Sequence, residues 1–221
     1  MVKWLVSTLA VLVLWTGTAV AQSEEQEVVD RARITASSML SSPDYREARA
    51  QMRKAKGVII IPSLVKGGFI VGGEGGSGVL MVRGRDGSWS NPSFVTMAAG
   101  SIGLQIGVQT AEVLFLIMTD KGLQSVMRDE FKMGADASVA VGPIGAGVEA
   151  GTTANLRADI LSFSRTQGLF GGVSFEGSLI KPRLSWNERY YGRSASVRDV
   201  VLDRRVSSPG AEALRRSVVV N

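Results

Sequence analysis

Cysteine and histidine are both missing from this 221-residue chain. Without cysteine there is no disulfide, no thiolate metal site and no cysteine nucleophile. Without histidine there is no Ser-His-Asp triad, no H-E-x-x-H zinc site and no imidazole base. Aromatic residues make up only 6% of the chain, which leaves the core to aliphatic side chains. Charge of one sign is also scarce: 25 basic against 20 acidic residues give +5, so any basic surface depends on distribution rather than on the total. A carboxylate- or lysine-based enzyme survives these absences; most hydrolase mechanisms do not.

A membrane-spanning run is lacking too. The apolar stretch Leu5 to Trp15 follows the short basic start Met1-Val2-Lys3. It falls short of the roughly 20 residues that a bilayer requires. Ala19-Val20-Ala21 fits an A-x-A cleavage site, so residues 1–21 read as a signal peptide with Gln22 as the new N-terminus. No cysteine stands near that site to carry a lipid anchor. The expected location is therefore exported, periplasmic or secreted, and not a lipoprotein. An uncleaved anchor is the competing reading. Loss of Lys3 leaves 24 basic and 20 acidic residues, a charge of +4.

What the chain has in quantity is glycine, 26 residues dispersed between apolar runs. The densest stretch runs from Lys56 to Arg83. Val58-Ile59-Ile60-Ile61, stopped by Pro62, reads as a fully buried strand. Gly67-Gly68, then Phe69-Ile70-Val71, the cluster Gly72 to Gly78, and Val79-Leu80-Met81-Val82 read as strands joined by glycine turns. On that reading Gly75 and Gly76 lie in a turn, at least one with positive φ. Gly73 to Gly78 also fits G-x-G-x-x-G. That dinucleotide motif needs a helix at its end and an acid about 20 positions on. Here β-branched Val79 to Val82 follows and no such acid is present.

Ahead of this unit, Ser23 and Gln26 form a capping-box pattern, and Val28, Val29, Ala32, Ala36, Met39 and Leu40 recur at helical spacing. This predicts a helix over about Glu24 to Leu40. Ser42-Pro43-Asp44 opens a second helix expected to reach about Ala55. Arg46, Arg49, Arg53 and Lys56 recur along it at spacings of three, four and three, with Lys54 beside them and Lys66 after the first strand. Such a stripe is either a solvated helix face or a basic surface for an anionic partner.

Beyond Arg83 come a turn at Gly84 to Gly87 and strands expected at Phe94 to Ala99, Ser101 to Gln109, Val113 to Met118, Ala158 to Ser164 and Leu169 to Phe175. Thr119-Asp120 caps a short helix through Arg128. Ala135 to Val141 alternates weakly. Helices are expected at Asn187 to Tyr191, Val197 to Leu202 and Ala211 to Val218. The fold class is α+β: a curved antiparallel sheet or partial β-barrel of short glycine-broken strands, flanked by N-terminal and C-terminal helices. No linker divides it, so residues 22–221 read as one domain with a helix pair at about 24–55, a β core at about 57–180 and a helical tail.

The order of several motifs resembles the SYLF domain family. They are Ala55-Lys56-Gly57-Val58 with Pro62, Gly67-Gly68-Phe69, the Gly72 to Leu80 stretch, Trp89-Ser90-Asn91-Pro92 and Gly103-Leu104-Gln105-Ile106-Gly107. Ala140-Val141-Gly142-Pro143, Leu161-Ser162-Phe163-Ser164 with Gly168-Leu169-Phe170, and Tyr190-Tyr191-Gly192 follow. The resemblance covers about Val28 to Val201. It implies a non-enzymatic module that binds anionic phospholipid, without a cofactor, through a basic surface and an amphipathic N-terminal helix. The matching positions are Arg46, Arg49, Arg53, Lys54, Lys56 and Lys66. Phe163 stands where many relatives carry tyrosine. The Lys181 to Trp186 segment is more basic and apolar than its counterpart, and Trp186 is either a second lipid-contacting edge or a cap on the core.

Three functions compete on the sequence. One is lipid binding at a membrane surface. The second is catalysis by carboxylates such as Asp120, Glu130, Glu149, Asp159 or Glu176, whose spacing marks no pair. The third is a structural or adaptor role, binding an envelope protein through an exposed hairpin edge. Nucleic acid is not expected, because the basic residues lack interleaved aromatics.

Overall fold

The computed structural model describes residues 22–68, 71–102, 107–142, 157–167, 175 and 177–220. The leader expected at 1–21 lies outside these residues, as do Phe69-Ile70, Glu149, Glu176 and the strand expected over Leu169 to Phe175, except Phe175 itself.

Helix α1 (Glu24–Ser41) begins where Ser23 Oγ accepts from the Gln26 backbone N–H. The cap holds but the reciprocal half of the box does not form. The Gln26 side chain instead donates to Asp30 and to the Gly210 carbonyl. A 3₁₀ turn (Pro43–Tyr45) capped by Ser42 leads into α2 (Arg46–Met52). The second helix stops three residues short of Ala55. The Lys54 and Ala55 amides both fold back onto the Gln51 carbonyl, and Gly57 already opens a strand.

Eight strands follow: β1 (Gly57–Gly68), β2 (Val71–Val82), β3 (Ser93–Ile102), β4 (Gly107–Ile117), β5 (Phe131–Lys132), β6 (Val139–Val141), β7 (Ile160–Gln167) and β8 (Leu179–Pro182). They form one curled sheet in the order β5-β8-β3-β2-β1-β4-β7-β6, antiparallel except for the β6–β7 pair. The α+β expectation holds, with one parallel pair added. Helix α3 (Asp120–Val126) interrupts the strands, and α4 (Leu184–Tyr191), α5 (Val197–Val201) and α6 (Glu212–Ser217) close the chain.

The strands are not all short. Pro62 does not stop β1, because the strand carries a bulge there. The register runs Ile61 to Val113 and then Leu64 to Ala111, so β1 holds one residue more than β4 over that span. Proline needs no ladder hydrogen bond inside a bulge. The glycine cluster is not a turn either. Gly75 pairs with Val65 and Ala98 within β2, and Gly75 and Gly76 are not among the glycines with positive φ. These glycines answer the bulge instead. A Cβ at Gly76 would lie 2.5 Å from the Ser63 carbonyl oxygen, and one at Gly78 would lie 2.2 Å from that of Ile60. A strand in place of a helix after Gly78 also removes the dinucleotide geometry.

The strand expected over Ser101 to Gln109 is divided: Ser101 and Ile102 end β3, while Gly107 to Gln109 begin β4, and β1 and β2 lie between them in the sheet. Alternation marks strand character but not where one strand hands over to another. Strand β7 runs past the expected end at Ser164 to Gln167. The β1–β2 hairpin exposes no edge, since β4 and β3 flank it; among the described strands the edges are β5 and β6.

Both faces of the sheet are covered, which explains the unbroken run Val58 to Ile61. Val58 and Ile60 pack with Val29, Ala32, Ala36 and Met39 of α1, with Leu214 and with Trp186. Ile59 and Ile61 face the other core with Phe115, Phe131, Phe175, Val200 and Val201. Polar clamps fix α1 to its face. Thr35 donates to Glu112, which also takes Arg165 Nε at 2.6 Å, and Arg165 reaches Ser38 as well. Arg189 closes onto the buried Glu25. Among the described residues no helix is long and apolar enough to cross a membrane.

Candidate functional site

The sheet ends at its base in a cleft of about 820 Å³. Four pieces of chain meet there: the link between α2 and β1 (Arg53 to Lys56), the end of β2 with its turn (Val82 to Arg85), the first turn of α3 (Asp120, Leu123), and the end of α5 with the segment after it (Val201, Leu202, Arg204). Six of the lining residues are cationic and one, Asp120, is anionic.

Local chemistry places each. Where α2 stops, Arg83 Nη1 and Nη2 donate to the carbonyls of Arg53 (2.7 Å) and Met52 (2.8 Å). Those carbonyls end the helix, where the regular i→i+4 partners run out, although the Ala55 N–H also reaches the Met52 carbonyl at 3.3 Å. Arg83 also lies over the Trp89 ring, and burial lowers its pKa from the usual guanidinium value. It is therefore a structural cation that anchors Arg53 and Lys54 at the mouth. On the far wall the turn Gly84 to Gly87 closes through the Gly87 N–H to the Gly84 carbonyl, with Gly87 at φ 80°. Arg204 stands at φ 53°, a left-handed conformation unusual for a side chain with a Cβ. From there it donates to the Ser88 hydroxyl and carbonyl. A Cβ on Gly84 would lie 2.4 Å from the Arg204 guanidinium, so glycine is what lets the two approach. The Ser88 hydroxyl and N–H lower the pKa of Asp86 behind this loop.

Lys56 Nζ donates to Asp120 Oδ1 at 2.8 Å, a pair open to solvent on both sides and worth at most about 1 kcal/mol. Arg53, Lys54 and Arg85 form no ion pair or side-chain hydrogen bond among the described residues. The cleft thus offers three uncommitted cations on a fixed backing.

The expected stripe is not continuous. Arg53, Lys54 and Lys56 reach the cleft. Arg46 is exposed at the start of α2. Arg49 turns inward and donates to the Leu40 and Ser42 carbonyls, so it joins α2 to the end of α1. For Lys66 only the backbone is described: it pairs with Glu74 and Gln109, ten residues along β1 from Lys56 and about 30 Å away at strand rise. Trp186 sits where a cap on the core would. It is 7% exposed, packs edge-on against Phe94 and lies beneath the Arg183 guanidinium, which caps the core.

Sequence reasoning did not find Arg83, Arg85 or Arg204 as site residues. Arg85 carried a weak signal as a cation in a tight turn, whereas Arg204 lies nearly 150 residues from Lys56 and gave none. The carboxylates weighed as catalytic are engaged elsewhere: Asp120 with Lys56, Glu130 with Lys181. Burial would raise the Asp159 carboxyl, but hydrogen bonds from Thr119 and Ser138, with Lys121 beside it, hold it down at about 2. It joins β7 to the start of α3. No cluster of potential metal ligands occurs among the described residues.

A family model described as "Ysc84: Las17-binding protein actin regulator" matches residues 98–219, just over half of the chain. Protein YSC84 of Saccharomyces cerevisiae is 33% identical over 168 residues, 75% of this chain and 36% of that protein. LAS seventeen-binding protein 3 of the same organism is 34% identical over 163 residues, 72% of this chain and 35% of its own length. The human SH3 domain-containing YSC84-like protein 1 is 32% identical over 162 residues, 73% of this chain and 47% of its own. The chain spans about a third to a half of the relatives it matches.

Proposed function

The chain belongs to the Ysc84 family, marked by the SYLF domain, and from that premise we propose that it is a non-enzymatic module that holds to anionic phospholipid surfaces by the rim of its basic cleft. The observation that carries this reading is the gathering of Arg53, Lys54 and Arg85, without ion-pair partners among the described residues, on a backing locked by Arg83 and Arg204. Cations held near an anionic bilayer contribute about 1 kcal/mol each and are screened by salt. Three therefore give about 3 kcal/mol at low ionic strength, enough to govern a peripheral contact. The leader-like sequence at 1–21 supports, in the same proposal, an exported protein acting at an envelope membrane.

Vesicle sedimentation tests the reading. Vesicles containing phosphatidylglycerol or cardiolipin should bind at low salt and release the protein toward physiological salt; phosphatidylcholine vesicles should not bind. The family description and one relative's name carry Las17 binding, which favours a second reading, capture of an acidic protein surface by the same rim. Indifference to anionic vesicles, with the fold intact, would favour that reading.

A further inference from the structure

We propose that a second groove, between the start of α1 and the bulge of β1, is a seat for a small zwitterion: an α-amino acid whose carboxylate meets Arg183, whose ammonium meets Glu24 and whose apolar side chain lies on Val28 and Pro62. The groove measures about 430 Å³, within the range of small-molecule sites. It lies about 20 Å from the basal cleft, the length of chain from Lys56 to Pro62 at strand rise. The seat does not rest on the membrane reading.

Arg183 is held ready for a carboxylate. Its guanidinium stands 3.4 Å from the centroid of the Trp186 ring, and its Nη1 donates to Ser77 Oγ at 2.9 Å. Ring and hydroxyl fix the plane. Nε and Nη2 have no hydrogen-bond partner among the described residues. These two N–H groups share one edge of the guanidinium, and such an edge takes both oxygens of a carboxylate at once.

Glu24 supplies the opposite charge. It forms no ion pair or side-chain hydrogen bond among the described residues. It is still close enough to act on Arg183: burial and the nearby Arg189 lower the Arg183 pKa from the usual guanidinium value, and Glu24 and Glu25 oppose them. Two unlike charges therefore share the groove without closing on each other. The charges around them are paired, Glu25 with Arg189 and Glu27 with Arg31. Glu24 and Glu27 against Arg31 and Arg183 leave the lining with no net charge. A simple anion would meet Glu24, and a simple cation would meet Arg183. A ligand carrying both charges satisfies each and remains neutral as a whole.

The test uses the full chain and ligand-observed NMR, with L-leucine, N-acetyl-leucine (no ammonium), leucinamide (no carboxylate) and glycine (no side chain) as probes. L-leucine should bind. N-acetyl-leucine and leucinamide should each bind at least about tenfold more weakly, and glycine several-fold more weakly. Glu24→Gln should cost leucine about tenfold and leave N-acetyl-leucine no weaker than before. Arg183→Lys keeps the charge but loses the paired edge, so leucine should weaken while leucinamide does not. If that variant melts early, Glu24→Gln, at an exposed position, decides alone. Reversing the basal cations Arg53, Lys54 and Arg85 to glutamate should leave leucine binding unchanged, which separates the two sites. No signal from leucine at about 10 mM, equal binding of leucine and its two blocked analogues, or an unaffected Glu24→Gln would overturn the seat. Vesicle binding, present or absent, bears on the basal cleft alone.

Discussion

Arg165 joins α1 to the sheet and Arg189 joins α1 to α4, and each is closed onto a carboxylate: Glu112 with Thr35 and Ser38 in one case, the buried Glu25 in the other. Arg53 and Arg85 stand at the basal cleft with no ion pair among the described residues. The same side chain does different work in the two regions. In the first it compensates a desolvated charge and fixes α1, so its removal should be felt in stability. In the second it is solvated and uncommitted, so its removal should be felt only in binding. Composition cannot separate these groups; the fold does.

The interior should be the more sensitive. Gly78→Ala places a methyl 2.2 Å from the Ile60 carbonyl oxygen, where backbone and not a flexible side chain must move. A loss of about 3 kcal/mol is expected in denaturant unfolding. Gly75→Ala, whose nearest contact is the Met97 carbonyl oxygen at 3.7 Å, is the control and should stay near wild type. Equal effects at the two positions would reject the close approach at the bulge.

Arg165→Ala leaves Glu112, whose side chain is 18% exposed, with Thr35 but no cation. About 2 kcal/mol should be lost, with sedimentation on anionic vesicles unchanged. The same holds for Arg49, which reverses the expectation from the helical stripe. Because it donates to Leu40 and Ser42, Arg49→Glu should destabilise rather than simply weaken anion binding.

Asp159 gives a pH arm. Its folded pKa, about 2, lies below the ordinary carboxylate value. Its contribution is therefore present above about pH 4 and is lost as pH falls through about 2. Asp159→Asn should cost about 2 kcal/mol at neutral pH, and its unfolding free energy should fall less steeply than wild type between pH 4 and 2. Parallel profiles would contradict the assignment.

Much of the fold was legible in the sequence. The α1 periodicity, the buried run at Val58 to Ile61 and the Thr119 cap each stand where local pattern placed them, because burial and capping leave local signatures. The strand through Pro62 did not, since a bulge is set by registry with β2 and β4. The glycines at 76 and 78 look alike in sequence whether they turn the chain or admit a neighbouring backbone. Strands β5 and β8, of two and four residues, are too short to show a period. Of the site, Arg53, Lys54 and Lys56 were legible as a local cluster. The opposite wall was not, because Arg85 and Arg204 come from distant segments that only the folded sheet brings together.

Charge reversal at the uncommitted cations tests the central claim most directly. Arg53→Glu, Lys54→Glu and Arg85→Glu are combined, and sedimentation with phosphatidylglycerol vesicles at low salt is compared with the wild type while circular dichroism and the melting curve are followed. The account predicts loss of about 3 kcal/mol or more of membrane affinity, on the order of a hundredfold, with the melting curve within a degree or two of wild type. A triple variant that sediments with these vesicles as wild type does would contradict it.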